Sequence, residues 1–451
     1  MLNRRTLMLA GGSALGLALA GLGWRAARTM SEKPDLVADK NGLIDLKPGF
    51  RYVVLSHTGD AMSDGLHVPG RPDGMAAFAG PGDKVILVRN HELGLARGLF
   101  RTARGKGAFG EDEGGLSPAL RARLYDPGGK GGVPYGGVTT LIFDPARERL
   151  TQQSLSLAGT MVNCAGGPTP WGSWLSCEEN VLGEKDGLGR DHGFVFEVPA
   201  RTEIGLAPAQ PITAMGRFVH EAAAVDPMSG AVYLTEDNPQ GCLYRFKPAT
   251  PGALHAGGRL EALAIAGQPQ ADTANWDKPR FERGTAYPIA WVGLEDVAAP
   301  SLDLAARAQA AGAARFVRGE GVWMGAGELF FSATAGGPNR RGQIWRLGLG
   351  ADGQESLQLL AEPNDDTILD MPDNLTVSPW GTLIVCEDGG GDNYLRQVRM
   401  DGQITSLARN AHPGRSEFAG ACFSPDGRWL FVNIQEPGIT LAITGPWDTL
   451  A

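Results

Sequence analysis

The segment Thr169-Pro170-Trp171-Gly172-Ser173-Trp174-Leu175-Ser176-Cys177-Glu178-Glu179 is nearly repeated 209 residues later as Ser378-Pro379-Trp380-Gly381-Thr382-Leu383-Ile384-Val385-Cys386-Glu387-Asp388. Each copy opens with a Pro- and Gly-containing turn, runs on through a short apolar stretch and ends on two acids. That order is a hairpin turn, a strand and a polar strand end. The same plan recurs around Gly82 (then Arg89-Asn90-His91-Glu92), Gly230 (then Glu236-Asp237-Asn238), Gly327 (then Ser332 and Thr334) and Gly427 (then Asn433 and Gln435). Upstream of each turn stands another polar residue: Asp73, Asn163, Glu221, Glu320, Asp373 and Glu417. A hairpin brings its two ends together, so both polar groups of each unit are expected at the end opposite the turn.

Successive turn glycines lie 90, 58, 97, 54 and 46 residues apart, which predicts six units of about four strands with insertions in some. A single four-stranded unit cannot bury both its faces, so repetition implies a radial array. The expected fold is all-β, a six-bladed β-propeller with loop and short helical insertions, whose hairpins ring one mouth of a central channel. A β-sandwich is the competing fold. The clearest helical stretch is Ala299–Ala314, with Ser301 as its expected N-cap. Gly94–Gly137 reads as loops over one face. Of the 451 residues, 65 are Gly and 30 are Pro, a glycine share about twice the average of ~7%, as a turn-rich chain requires.

The composition excludes several classes. With 50 acidic and 41 basic residues the formal charge is −9, and no basic run exceeds two residues, so nucleic-acid binding is not expected. A hydrophobic fraction of 43% fits a globular chain rather than a disordered one. The five cysteines (Cys164, Cys177, Cys242, Cys386, Cys422) are odd in number and widely spaced, which argues against a disulfide framework. Asn3-Arg4-Arg5-Thr6-Leu7 precedes an apolar run to Gly23, the pattern of a twin-arginine export signal. Residues 1–30 are therefore read as a signal handled by the twin-arginine translocation machinery, and 31–451 as one propeller domain, periplasmic or secreted. An uncleaved membrane anchor is the alternative.

Carboxylates pointed at a common centre repel unless cations lie between them. Oxygen-rich sets suit Ca²⁺, and a thiolate among them suits a transition metal. The candidates are Glu178, Glu179, Glu221, Glu236, Asp237, Glu320, Asp373, Asn374, Glu387, Asp388 and Glu417, with Asn163 and Asn433 as neutral donors. Cys177, next to Glu178-Glu179, is the expected sulfur ligand, against the reading of a small buried strand residue. Alternation along a strand places His220 away from the channel if Glu221 faces it. Arg318, two residues before Glu320, has the planar fork that binds phosphate; an ion pair with a ring carboxylate is the other reading, and Arg217 and Arg89 are weaker candidates. No H-E-x-x-H, G-x-S-x-G or P-loop pattern is present.

Together these segments, with Asn163-Cys164-Ala165-Gly166-Gly167, Gly216-Arg217-Phe218-Val219-His220-Glu221, Arg318-Gly319-Glu320-Gly321, Pro372-Asp373-Asn374-Leu375 and Ser416-Glu417-Phe418-Ala419-Gly420, resemble the PhoX family of exported alkaline phosphatases. The resemblance spans about residues 40–440 in order. It implies a six-bladed propeller, twin-arginine export and hydrolysis of phosphate monoesters at a cluster of calcium (Ca2+) and ferric iron (Fe3+); the chain is expected to be a monomer. Carried over, Cys177 looks like the iron thiolate ligand, Glu221 and Glu320 like metal-bridging carboxylates, and Arg318 like the phosphate-gripping arginine. Glu178, Glu179, Asp373, Asn374 and Glu387 look like further calcium or iron ligands. Two rivals remain on the same fold: a calcium-dependent lactonase, which would need neither iron nor Cys177 nor Arg318, and a non-catalytic, calcium-stabilised binding propeller.

Overall fold

Every one of the six turn glycines lies in the left-handed region, with φ of 63° at Gly82, 85° at Gly172, 73° at Gly230, 81° at Gly327, 84° at Gly381 and 70° at Gly427. Each turn joins an inner strand to an antiparallel partner. The inner strands are Pro72–Ala79, Asn163–Pro168, His220–Val225, Gly319–Gly325, Pro372–Val377 and Phe418–Phe423. The computed structural model describes residues 35–95, 105–110, 114–325, 327–350 and 354–450. The twin-arginine segment lies outside them. No helix among the described residues is long and apolar enough to cross a membrane.

The fold is all-β and propeller-like. The six inner strands pack side by side in chain order around one axis, and the last lies against the first. Gly74, Ala165, Ala222, Gly321, Asn374 and Gly420 line a narrow cavity there. Small residues are a requirement of this spacing. A Cβ on Gly420 (φ 66°) would stand 2.2 Å from the Asp73 carbonyl oxygen, and one on Gly321 would stand 2.7 Å from that of Asp373.

Among the described residues the strands form five sheets, where six units of about four strands were expected. Pro72–Ala79 opens a four-stranded sheet and Asn163–Pro168 a three-stranded one. The units that begin at His220 and Gly319 share a nine-stranded sheet. Strand Ala286–Leu294 fuses them, pairing with Gly258–Ile265 along one edge and with Glu355–Ala361 along the other. The N-terminal strands complete the last two sheets: Ile44–Leu46 pairs with Ile404–Asn410, and Arg51–His57 with Ile439–Thr444. This ties the chain's beginning to its end.

The core lies between neighbouring sheets, which is why many strands are buried along their whole length rather than on alternate residues. Leu175, Val195, Leu234 and Phe246 fill one interface, and Phe316, Phe331 and Trp345 another. All five cysteines are buried and free. The predicted helix is shorter than expected, Leu304–Ala310, and its N-cap position is Asp303 rather than Ser301. Asp303 anchors it through Arg307 Nε at 3.0 Å. In the 94–137 insertion, Phe109, Leu124 and Tyr135 pack on Met62, Val68 and Leu93 as a small satellite core.

Candidate metal centre

All six inner strands carry a β-bulge within their first four residues, where two inner-strand residues face one on the partner. The bulged pairs are Asp73-Gly74, Cys164-Ala165, Glu221-Ala222, Glu320-Gly321, Asp373-Asn374 and Gly420-Ala421. In five of them the first residue can ligate a metal. The bulges thus supply one ring of donors. The residues just past the second strands supply the other: Glu92, Glu179, Asp237 and Asp388 follow His91, Glu178, Glu236 and Glu387.

Three overlapping groups bring ligand atoms within 4.8 Å of one another: Cys164, Glu179 and Glu221; Glu221, Glu320 and Asp373; and Asp373, Asp388 and Glu417. Glu221 and Asp373 are shared, so the groups form one chain across the mouth. Gln435 Nε2 extends it by donating to Asp73 Oδ2 at 2.6 Å and to Glu92 Oε2 at 2.8 Å. Burial, then neighbouring carboxylates, push Glu179, Glu221, Glu320 and Glu417 well above the usual carboxylate range. Burial and Glu92 push Asp73 to about 8.

The fit to metal rests on one observation above all. Glu221 is fully buried, and among the described residues neither of its carboxylate oxygens has a hydrogen-bond partner. Asp73 Oδ1 is also unpartnered. Leaving buried acceptors unmade costs about 1–3 kcal/mol each, more when charged. A cation between the carboxylates removes both the orphaned acceptors and the repulsion, and this oxygen-rich set with one thiol fits such ions.

Of the residues expected at the site, the structure brings together Glu179, Glu221, Glu320, Asp373, Asp388 and Glu417, with Arg318 held there by Asp237 and Glu320. Cys177, Glu178 and Glu387 stand elsewhere. Cys177 is the residue opposite a bulge, and its thiol lies in the apolar cluster with Leu175 and Val195. Burial, then Glu178, raises its pKa further. Three of its counterparts opposite the other bulges are braces: Asn90 donates to the Cys164 and Ala165 carbonyls, Thr235 to the Glu320 carbonyl and Ser332 to the Asp373 carbonyl. The thiol at the mouth belongs instead to Cys164, on the bulge. Glu178 accepts from His192 Nδ1 at 2.6 Å, Gly193 N at 2.9 Å and Met161 N at 3.0 Å. Glu387 is held by Arg396 Nε at 2.7 Å and Asp370 N at 2.9 Å. Glu236 accepts from Tyr244 Oη at 2.8 Å. These acids face into the blades, one residue short of the ones that reach the mouth.

Asn374 donates to Asp373 Oδ1 and accepts from Gly420 N, which locks two inner strands together. Asn163 and Asn433 are similarly committed, to Ser176 and Thr160 and to the Asp73 carbonyl and Thr440. His220 stacks on Phe218 with ring centroids 3.6 Å apart, away from the mouth, and burial pushes it down to about 3. Arg217 serves the carbonyls of His192 and Val181.

Arg318 stands at the mouth and is also ion-paired. Its Nε and Nη2 lie 2.7 and 2.9 Å from the two oxygens of Asp237, and Nη2 is 2.9 Å from Glu320 Oε1. Its φ of 53° recurs, within a few degrees, at Arg71, Val162 and Met371, each immediately before an inner strand. Arg71 is thus the positional counterpart of Arg318, paired with Glu92 and Glu436. Sequence reasoning placed Asp73 and Glu92 among the polar strand ends of the ring without naming them as ligands, ranked Cys164 behind Cys177, and passed over Arg71. The available signal was a ligand-type residue followed by a small one, shared by four of the bulged pairs: Asp73-Gly74, Cys164-Ala165, Glu221-Ala222 and Glu320-Gly321.

A profile of the family described as alkaline phosphatase PhoX matches residues 31–438. Among solved structures, Pseudomonas fluorescens PhoX in complex with vanadate, a transition-state analogue, is similar at TM-score 0.65 and 19% identity, covering 90% of this chain and 96% of that one. A Xanthomonas campestris gluconolactonase is similar at TM-score 0.37 and 13% identity, over 89% and 99% of the two chains. No curated protein sequence matches the chain. By the profile match over most of its length, this chain belongs to the alkaline phosphatase PhoX family.

Proposed function

We infer that this chain is a metal-dependent phosphomonoesterase that releases inorganic phosphate from phosphate monoesters at the bulge-borne carboxylate cluster. The observation that carries the reading is Glu221, buried with both oxygens unpartnered at the junction of two ligand groups, in a chain of an alkaline phosphatase family. Cys164, Glu179 and Glu221 would hold the transition metal, ferric iron. Glu221, Glu320 and Asp373, with Asp388 and Glu417, would hold calcium. When bound, the ions supply Lewis-acid neutralisation of the phosphoryl oxygens.

The protein's own groups do the rest. Asp237 and Glu320 hold the Arg318 guanidinium in one plane, leaving it poised to orient a phosphoryl group and offset developing charge. Trp174, Trp323 and Leu375 line the axial cavity beneath the bulges and present no charge to a substrate from below. The six inner strands, six left-handed turn glycines and six bulges support reading the ring as six blades, two of them fused through Ala286–Leu294. Arg4-Arg5 and the apolar run after it support twin-arginine export to the periplasm or beyond, which suits a protein that must carry its metals folded.

The test is metal analysis of protein purified without chelator, followed by p-nitrophenyl phosphate hydrolysis. Iron and calcium with turnover that EDTA abolishes and calcium restores is the expected result. Bound metal with no phosphate release would refute the phosphatase reading.

A further inference from the structure

Among the described residues, Arg89 is a buried cation of the first sheet with no counter-charge paired to it. It lies in strand Val85–His91 and is 1% exposed. Among the described residues its guanidinium meets only hydroxyl groups: Nε donates to Thr139 Oγ1 at 3.3 Å, and Nη1 donates to Ser56 Oγ at 3.4 Å and to Thr440 Oγ1. Nη2 is buried with no partner. An arginine does not shed its charge in proteins, and an unpaired buried charge is among the costliest features a fold can carry.

A census of donors and acceptors shows what is missing. His91 Nδ1 lies 2.9 Å from the Gly70 carbonyl and must donate to it, so Nε2 is an acceptor and takes the Thr139 proton at 2.9 Å. Thr440 donates to Asn433 Oδ1 at 2.6 Å. Ser56 Oγ already accepts from Arg89 and, at 3.0 Å, from Gln153 Nε2. Its own proton therefore has no acceptor among the described residues. What remains is the two N–H groups of Nη2 and one positive charge, with no carboxylate paired to them among the described residues. A water molecule could accept but would bring two more protons and no charge. A small anion without protons satisfies both shortages.

We propose that a small monovalent anion of the halide class, chloride in the first instance, binds against Arg89 Nη2 and Ser56 Oγ as a buried counter-ion. The position gives it a role. Arg89 and Thr139 belong to the sheet that begins at Pro72, whereas Ser56 and Thr440 belong to the sheet that joins the two ends of the chain. The ion braces the seam where the ring closes, and it is independent of the phosphatase reading.

The test uses the metal-loaded full chain, crystallised in bromide without chloride. The expected result is an anomalous bromide peak, or density heavier than water from a retained chloride, within hydrogen-bond distance of Arg89 and Ser56. Density no stronger than water and without anomalous signal would overturn the proposal. In solution, at fixed ionic strength and calcium, Tm should rise by several degrees when chloride or bromide replaces gluconate, which is too bulky to enter. Arg89→Met should abolish that dependence, and Ser56→Ala should weaken it. Equal Tm in all three salts for the wild-type chain would also count against the site.

Discussion

Two sets of buried acids, one ending the second strands and one on the bulges of the inner strands, are held in different ways. Glu178, Glu236 and Glu387 end their strands facing into the blades, and each is fully engaged: Glu178 by His192 and three backbone N–H groups, Glu236 by Tyr244, Glu387 by Arg396. Glu221, Glu320 and Asp373, on the bulges, face one another, and Glu221 has no partner for either oxygen. Burial and charge alone do not separate the two sets. Hydrogen-bond satisfaction does: the engaged acids hold the blades together, whereas Glu320 and Asp373 keep one side-chain partner each, Arg318 and Asn374, and Glu221 keeps none.

The largest effect should separate the sets outright. Glu221→Gln is expected to lower kcat for p-nitrophenyl phosphate by more than about 10³-fold, roughly 4 kcal/mol of barrier. It should also empty the centre of metal by elemental analysis, while the metal-free chain becomes more stable because a buried charge is gone. Glu387→Gln should do the reverse. It leaves Arg396, 3% exposed, without its anion, which should cost about 3–5 kcal/mol in denaturant unfolding, with metal content retained in the folded fraction. If both variants lose metal equally, the distinction fails.

Next come the two cysteines. Cys164→Ala should release the transition metal, seen as loss of iron by elemental analysis. Cys177→Ala should keep it and cost on the order of 1 kcal/mol for a small apolar cavity. Arg318→Lys keeps the charge but loses the fork that Asp237 holds, so kcat/KM should fall about 10–100-fold, some 1.4–2.7 kcal/mol.

The smallest effect concerns pH. His192 is buried between Glu178 Oε1 at 2.6 Å and Asp126 Oδ2 at 3.4 Å, with the Tyr125 ring edge-on at 5.2 Å. Burial opposes its charge, but Glu178 and Asp126 win and raise it to about 9. A pKa raised on folding gives stability that is complete below the unfolded value near 6.5 and is lost as pH rises through about 9. Unfolding free energy should therefore fall by about 1–3 kcal/mol between pH 6.5 and 9.5, and His192→Asn should flatten that slope. A wild-type slope unchanged by the substitution would assign the effect to other groups.

The turn glycines and the strand hairpins were legible because local chemistry dictates them: Pro379-Trp380-Gly381 can do little but turn, and Leu383–Glu387 little but extend. The convergence of Glu221, Glu320 and Asp373 followed from hairpin geometry alone. The strand pairing of Ala286–Leu294 was not legible, because fusing two sheet edges is decided by distant partners. Cys177 was misplaced for a sharper reason. Reasoning by adjacency to Glu178-Glu179 assumes an unbroken ladder, whereas a bulge shifts which residue reaches the mouth by inserting one on the opposite strand. Cys164 occupies that inserted position, and its only local mark is the small residue Ala165 behind it.

The central claim is that the carboxylates at the mouth coexist because multivalent cations lie between them. The direct test is calcium titration of the EDTA-treated chain, following Tm and p-nitrophenyl phosphate hydrolysis together. The account predicts a saturable rise in Tm with a parallel return of activity, both absent in Glu221→Gln. A metal-free chain as stable and as active as the calcium-loaded one would contradict it.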